Sequence, residues 1–177
     1  LIIGDVGTGK TALTADILRR MVRRGYAEKI TVIDMAPAKI GPIGGPISQY
    51  TRAVKKVRYL RPSNVYAPRL MGKEGEDVLK LAELNMRNIE PLIDAYIASP
   101  SPILIINDVT IYLHKGSLER LLLCIDKAET AVVNAYYGDS LSDDKGSGLT
   151  NREREVVKAL MTIFPITINL NSLAISS

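Results

Sequence analysis

Short apolar runs alternate along this chain with stretches whose apolar residues recur every three or four positions. Leu1–Ile3 reads as the end of a strand that runs into a glycine-rich turn, and Lys10 to about Arg24 follows as a helix, with Leu13, Ile17, Leu18, Met21 and Val22 at helical spacing. Arg19, Arg20, Arg23 and Arg24 crowd its last turns, where cations complement the carbonyl end of the helix dipole, and Gly25 offers the stop. The β-branched run in Lys29–Met35 predicts a second strand, and another is expected near Lys56–Leu60. Between Glu74 and Ile97 the residues Val78, Ala82, Met86, Ile89, Ile93 and Tyr96 line one face of a long helix, which Pro91 is expected to bend. Pro102–Ile106 is continuously apolar, the pattern of a parallel strand buried on both faces. Ser117 is placed to cap a helix through about Lys127, and Thr130–Tyr136 reads as a strand. Thr150-Asn151-Arg152-Glu153 has the form of a capping box, opening a helix with Val156, Val157, Leu160, Met161 and Phe164 on its apolar face. Pro165 ends that helix, and Ile166–Leu170 is the last strand. No internal repeat is present. Strands alternating with helices at this spacing predict an α/β three-layer sandwich, a mostly parallel central sheet of about five strands flanked by helices.

The chain is 177 residues, 46% apolar and 24% charged, which suits a single domain spanning 1–177 with a sizeable core. Cys124 is the single cysteine, so no internal disulfide forms, as suits a reducing cytoplasm. With His114 the single histidine, a zinc site of Cys/His type is excluded. No apolar run approaches the roughly 20 residues that span a bilayer, so no membrane association is expected, and no signal peptide is visible at Leu1-Ile2-Ile3-Gly4.

Charge is distributed unevenly. Residues 36–73 hold Lys39, Arg52, Lys55, Lys56, Arg58, Arg61, Arg69 and Lys73 and no acid, so this segment carries +8 against a net +4 for the chain, leaving −4 elsewhere. Five prolines, four glycines and Tyr50, Tyr59 and Tyr66 are interleaved with the cations. Residues 38–70 are therefore a candidate surface for an anionic partner, nucleic acid or a phosphorylated acceptor. The alternatives are a solvated connection or a face that meets an acidic surface of another subunit.

Gly4-Asp5-Val6-Gly7-Thr8-Gly9-Lys10-Thr11 fits G-x-x-x-x-G-K-[ST]. Glycines let the backbone curl so that successive N–H groups face phosphate oxygens, at the positive end of the following helix. Lys10 is placed to reach the β- and γ-phosphates, and Thr11 to offer its hydroxyl to Mg²⁺. At ordinary residue frequencies a chance match arises in on the order of 0.6% of chains this size, and the strand before and helix after the loop are the context that the motif requires. The chain thus resembles the P-loop NTPase superfamily, in particular AAA-type, RecA-like and HerA/FtsK-like ATPases. The resemblance implies the P-loop NTPase fold, ATP (or GTP) and Mg²⁺ as ligands, and assembly as a homo-oligomer in many members.

The resemblance also implies a carboxylate at another strand end to serve the metal. Ile103-Leu104-Ile105-Ile106-Asn107-Asp108 is similar to the Walker B segment, but Val109 stands where such ATPases carry a second acid. Asp108 is then either the metal carboxylate or the base with Asn107 in the metal position, and one acid is missing in both readings. Asp34, closing Ile30–Asp34, is the competing acid, similar in placement to that of MinD-like proteins. Asn134 resembles the polar sensor that touches γ-phosphate or water in AAA-type proteins, or is a turn-forming Asn. The polar segment Gly138–Gly148 leads to Arg152 and Arg154, which are candidate arginine fingers or lid arginines, or else surface residues pairing with Glu153 and Glu155. His114 is expected to be structural, and Cys124 to be a small buried hydrophobe.

These residues support an Mg²⁺-dependent ATPase, a switch or motor for which nucleic acid is one candidate target. One alternative is a small-molecule or nucleotide kinase that uses 138–154 as a lid. The other is a nucleotide-dependent binding module with little hydrolysis. No guanine-specific Asn-Lys-x-Asp stands in the chain.

Overall fold

The computed structural model describes residues 1–39 and 44–172. Ile40–Ile43, inside the basic segment, and the last five residues lie outside the described residues. Six parallel strands form one sheet: β1 (Ile2–Gly4), β2 (Ile30–Asp34), β3 (Arg58–Leu60), β4 (Ile103–Asn107), β5 (Thr130–Tyr136) and β6 (Ile168–Asn169), in spatial order β3-β2-β4-β5-β1-β6. Every pairing is parallel, with Ile2 opposite Asn134 and Asp34 opposite Asn107. The sheet has six strands against the about five expected, and β3, in the stretch near Lys56–Leu60 where a strand was expected, pairs with β2.

Helices cover both faces. On one, Ala15 and Leu18 of α1 (Lys10–Arg23) pack with Ile30, Val32, Ile105, Ile47 and Val54. On the other lie α3 (Gly75–Ala98), after the short α2 (Pro68–Met71), then α4 (Thr110–Leu113), α5 (Leu118–Ile125) and α6 (Leu149–Ile163). Ile89, Ile93, Tyr96, Leu121, Cys124, Val157 and Leu160 meet Ile3, Ile33, Leu104, Ile106 and Val133 there. Leu104, Ile105 and Ile106 are each fully buried, as a strand covered on both faces requires.

Two local expectations change. α3 is one helix with Pro91 inside it. Its buried stripe takes in Asn85 rather than Met86, because the Asn85 side chain bonds both the N–H and the carbonyl of Tyr66 at 2.8 and 2.9 Å. Thr150 does not cap α6: the helix already begins at Leu149, and the Thr150 N–H donates to Asp144 at 2.9 Å. Glu153 is then free of the capping role and turns into the interior, where it is 2% exposed.

Among the described residues no helix is long and apolar enough to cross a membrane.

Candidate functional site: a glycine loop facing a buried charged cavity

The loop Gly4–Thr11 leaves the carboxyl end of β1 and opens α1. Gly7 and Gly9 hold φ of +73° and +91°, a region L side chains rarely adopt, which is why the turn takes glycine at both places. Asp5 knits the loop together: its Oδ1 accepts the Val6 N–H at 2.6 Å and its Oδ2 those of Asp139 and Ser140 at 3.0 and 3.2 Å. The Asp5 N–H donates to Asn171 Oδ1 at 2.7 Å. Among the described residues the N–H groups of Gly7, Gly9, Lys10 and Thr11 donate to no other protein group. Lys10 Nζ donates to the Asp5 carbonyl at 2.6 Å and lies 5.8 Å from the centre of the Tyr136 ring. Burial lowers its pKa, an effect that the nearby Asp108, Asp5 and Glu153 charges only partly offset.

A cavity of about 280 Å³ adjoins this loop. It lies at the carboxyl ends of the strands, where β1 sends its helix to one face of the sheet and the neighbouring β5 sends α6 to the other, the crevice in which open α/β sheets hold their ligands. Gly7, Gly9, Lys10 and Thr11 line it together with Asp108 and Asn134, so the structure brings these expected site residues to one place.

Asp108 follows β4 with φ of +58°, a left-handed conformation that Asp tolerates better than most residues but at some cost. Two contacts hold it there. Its N–H donates to Asn134 Oδ1 at 2.8 Å, and its Oδ1 accepts the Thr110 hydroxyl at 3.0 Å. Burial raises the Asp108 pKa against the opposing pull of Lys10.

Asn134 is more than a turn residue. Its amide nitrogen donates to Thr14 Oγ1 at 2.8 Å and to Asn107 Oδ1 at 2.7 Å, while the Asn107 amide donates to Asp34 Oδ1 at 2.8 Å. All four side chains are buried, so a polar relay links α1 to the ends of β5, β4 and β2. Asp34 is saturated within this relay: Oδ2 accepts from Tyr59 OH at 2.6 Å and the Ile47 N–H at 2.7 Å, and Arg61 stands 3.5 Å from Oδ1. The competing acid does not line the cavity.

The far wall holds a cluster that the sequence reading left unassembled. Arg69 forks onto Glu153 at 2.8 and 2.9 Å, and Glu153 Oε2 lies 2.7 Å from His114 Nε2. All three are buried and line the cavity, and Arg69 stacks 5.2 Å from the Tyr136 ring centre. Burial pushes the Glu153 pKa up, but the His114 and Arg69 contacts outweigh it and hold the carboxyl below its ordinary value. One signal for Glu153 was present: it stands four residues before Val157 and seven before Leu160, on the helix stripe that faces the core.

The basic segment divides. Arg58 donates to the Ala95 and Ser99 carbonyls at the end of α3, Arg61 pairs with Asp34 and Arg69 with Glu153. Lys39, Arg52, Lys55, Lys56 and Lys73 remain exposed. Lys55 and Lys56 border a groove with Thr31 and Ser101 at the amino ends of β2 and β4, the end of the sheet opposite the glycine loop. Arg152 donates to the Leu113 and Gly116 carbonyls, at 3.1 and 3.0 Å, and Arg154 pairs with Asp139. Neither pairs with Glu153. Cys124 is buried within the core.

No protein-family model matches the chain, and no curated protein matches it.

Proposed function

We propose that this chain is a P-loop NTPase domain that binds Mg²⁺–ATP on Gly4–Thr11 and hydrolyses the γ-phosphate. One observation carries the reading: the undonated loop N–H groups, Lys10, Thr11, Asp108 and Asn134 converge on one cavity at the carboxyl edge of a parallel sheet. Phosphoryl transfer asks of a protein chiefly positioning and charge stabilisation, and this set provides both. Among the described residues no cluster of three or more His, Cys, Asp or Glu could hold a metal by itself. Magnesium in such sites is held largely by phosphates and water, so the Thr11 hydroxyl and one carboxylate, Asp108, fit it. The sequence holds no guanine-reading Asn-Lys-x-Asp, which favours adenine over guanine as the base of the nucleotide.

A second reading is favoured by the cavity's other wall. The lining also includes Pro37, Tyr50, Ala67, Pro68 and Leu70, apolar surface against which a small acceptor in a kinase reaction would pack. Phosphate release from Mg²⁺–ATP, measured with and without a panel of small hydroxylated and phosphorylated acceptors, tests both. Release without acceptor supports hydrolysis, and ADP formation strictly dependent on an acceptor supports the kinase. Tight binding with neither supports a binding module.

A further inference from the structure

The amino edge of the sheet, opposite the glycine loop, collects cations that lie far apart in the sequence. β3, β2 and β4 are adjacent strands, so the residues that precede each of them lie side by side at this edge. Lys55 and Lys56 lead into β3, and the turn from Arg23 to Lys29 carries the end of α1 into β2. Thr31 is opposite Arg58, which brings Lys29 and Lys56 to neighbouring strand starts. Met21 and Val22 of α1 pack on the same apolar cluster as Ala53, Val54 and Val57, so the last turn of the helix is drawn against the same segment. Arg23, Arg24, Lys29, Lys55 and Lys56 are all exposed, and among the described residues none of them pairs with an acid. Glu28 is the one acid in these two stretches. Toward β5 the edge turns acidic, where Asp126 and Glu129 precede that strand, and this bounds the patch. Tyr26 stands among the cations and is 43% exposed. The tyrosines of the basic segment are placed otherwise: Tyr50 lines the cavity and Tyr59 is tied to Asp34.

We infer that this edge binds single-stranded nucleic acid, with Arg23, Arg24, Lys29, Lys55 and Lys56 on its phosphates and Tyr26 stacked on a base. Unpaired like charges held this close repel one another, and a polyanion laid along them removes that cost while releasing its counterions. Flexible exposed Lys and Arg side chains contact phosphates whatever the sequence, and an exposed aromatic ring adds stacking that every base can satisfy. A duplex keeps its bases stacked inside and offers Tyr26 no open face. An anionic membrane fits less well, because no Leu, Ile or Met stands between Arg23 and Lys29 or beside Lys55 and Lys56 to anchor in lipid. The edge lies at the far end of the sheet from Lys10, so it serves whether or not the chain hydrolyses ATP.

Anisotropy titrations of the protein into a labelled oligothymidylate of about 20 nucleotides, and into a duplex of the same length, test this over a range of salt. The single strand should bind more tightly, with log affinity falling against log salt at a slope of about −3, near −0.7 for each phosphate neutralised. Replacing Arg23, Arg24, Lys55 and Lys56 together by Ala should flatten that slope by about 2 to 3. Tyr26→Ala should weaken binding about 10-fold with the slope kept, and Tyr26→Phe should match the parent, since the ring remains. Lys73→Ala with Lys80→Ala removes exposed cations outside the patch and should also match the parent. All of these side chains are exposed, so each variant should melt within a few degrees of the parent. A duplex bound as tightly as the single strand, or parent affinity in Tyr26→Ala, overturns the single-strand assignment. A parent-like slope in the quadruple variant, no salt-dependent binding, or sedimentation with phosphatidylserine vesicles in place of oligonucleotide binding overturns this edge as a nucleic-acid surface.

Discussion

The side-chain oxygen of Asn134 accepts the backbone N–H of Asp108 at 2.8 Å, and the Asn134 carbonyl accepts the next N–H, that of Val109, at 3.0 Å. One residue of β5 thus holds the turn after β4 in its left-handed conformation and fixes where the Asp108 carboxylate stands. The same side chain reaches Thr14 on α1, so the helix opened by the glycine loop and the acid facing it share one anchor.

Asn134→Ala removes that anchor and leaves the Asp108 N–H and Asn107 without their partner. Loss of about 1–3 kcal/mol of unfolding free energy is expected from stranded buried polar groups. Chemical denaturation measures it, and a loss under 0.5 kcal/mol would remove the relay from the account.

Asp108→Asn neutralises a carboxyl whose charge burial disfavours, and Asn also tolerates a positive φ. The nucleotide-free variant is expected to melt a few degrees above the parent and to lose the Mg²⁺ dependence of nucleotide binding. Asp34→Asn, in contrast, disturbs the bonds to Tyr59, Ile47 and Arg61 and is expected to lower stability while sparing that dependence. Calorimetry with and without Mg²⁺ separates the two, and the reverse ranking would transfer the metal role to Asp34.

The alternation of strands and helices, the buried centre of β4 and the glycine loop were legible from residue pattern, because each is a local signal: period, continuity or spacing. The strand order is not local. That β5 lies between β1 and β4, bringing Asn134 beside Asp108, depends on which faces the crossovers cover. Charge was misleading for the same reason. Arg58, Arg61 and Arg69 looked like part of a free cationic surface, but their partners lie up to 84 residues away along the chain. Glu153 read as half of a capping box because its spacing from Thr150 fits one, while its partners, Arg69 and His114, come from α2 and the end of α4.

Glu153 supplies a pH signature. Its folded pKa is held below the ordinary value of 4.5, so its stabilisation is present above 4.5 and is lost as pH falls through the folded value. The parent's melting temperature should therefore fall more steeply on acidification below about pH 4.5 than that of Glu153→Gln. At neutral pH that variant should be about 3 kcal/mol less stable, since Arg69 loses its buried counter-charge. Parallel pH curves for the two proteins would contradict an ionised Glu153 paired with Arg69.

The exposed and internal cations should behave differently. Lys55→Ala with Lys56→Ala is expected to leave both melting temperature and ATP affinity within error, because both side chains are exposed at the far end of the sheet. Arg58→Ala should destabilise by about 1–3 kcal/mol, as it strips the donors from two carbonyls at the end of α3. A fall in nucleic-acid affinity, with a flatter salt slope, in the double lysine variant would assign that groove a polyanion. Unchanged binding leaves it a solvated face.

The central claim is that Lys10 and its loop hold the phosphates of ATP. Isothermal titration of Mg²⁺–ATP into the parent and Lys10→Ala tests it most directly, with melting temperatures of both taken without nucleotide. Lys10 bonds a carbonyl of its own loop and belongs to none of the hydrophobic clusters, so the variant should melt within a few degrees of the parent while its affinity falls at least 10-fold. Equal affinity in two equally folded proteins would contradict the account.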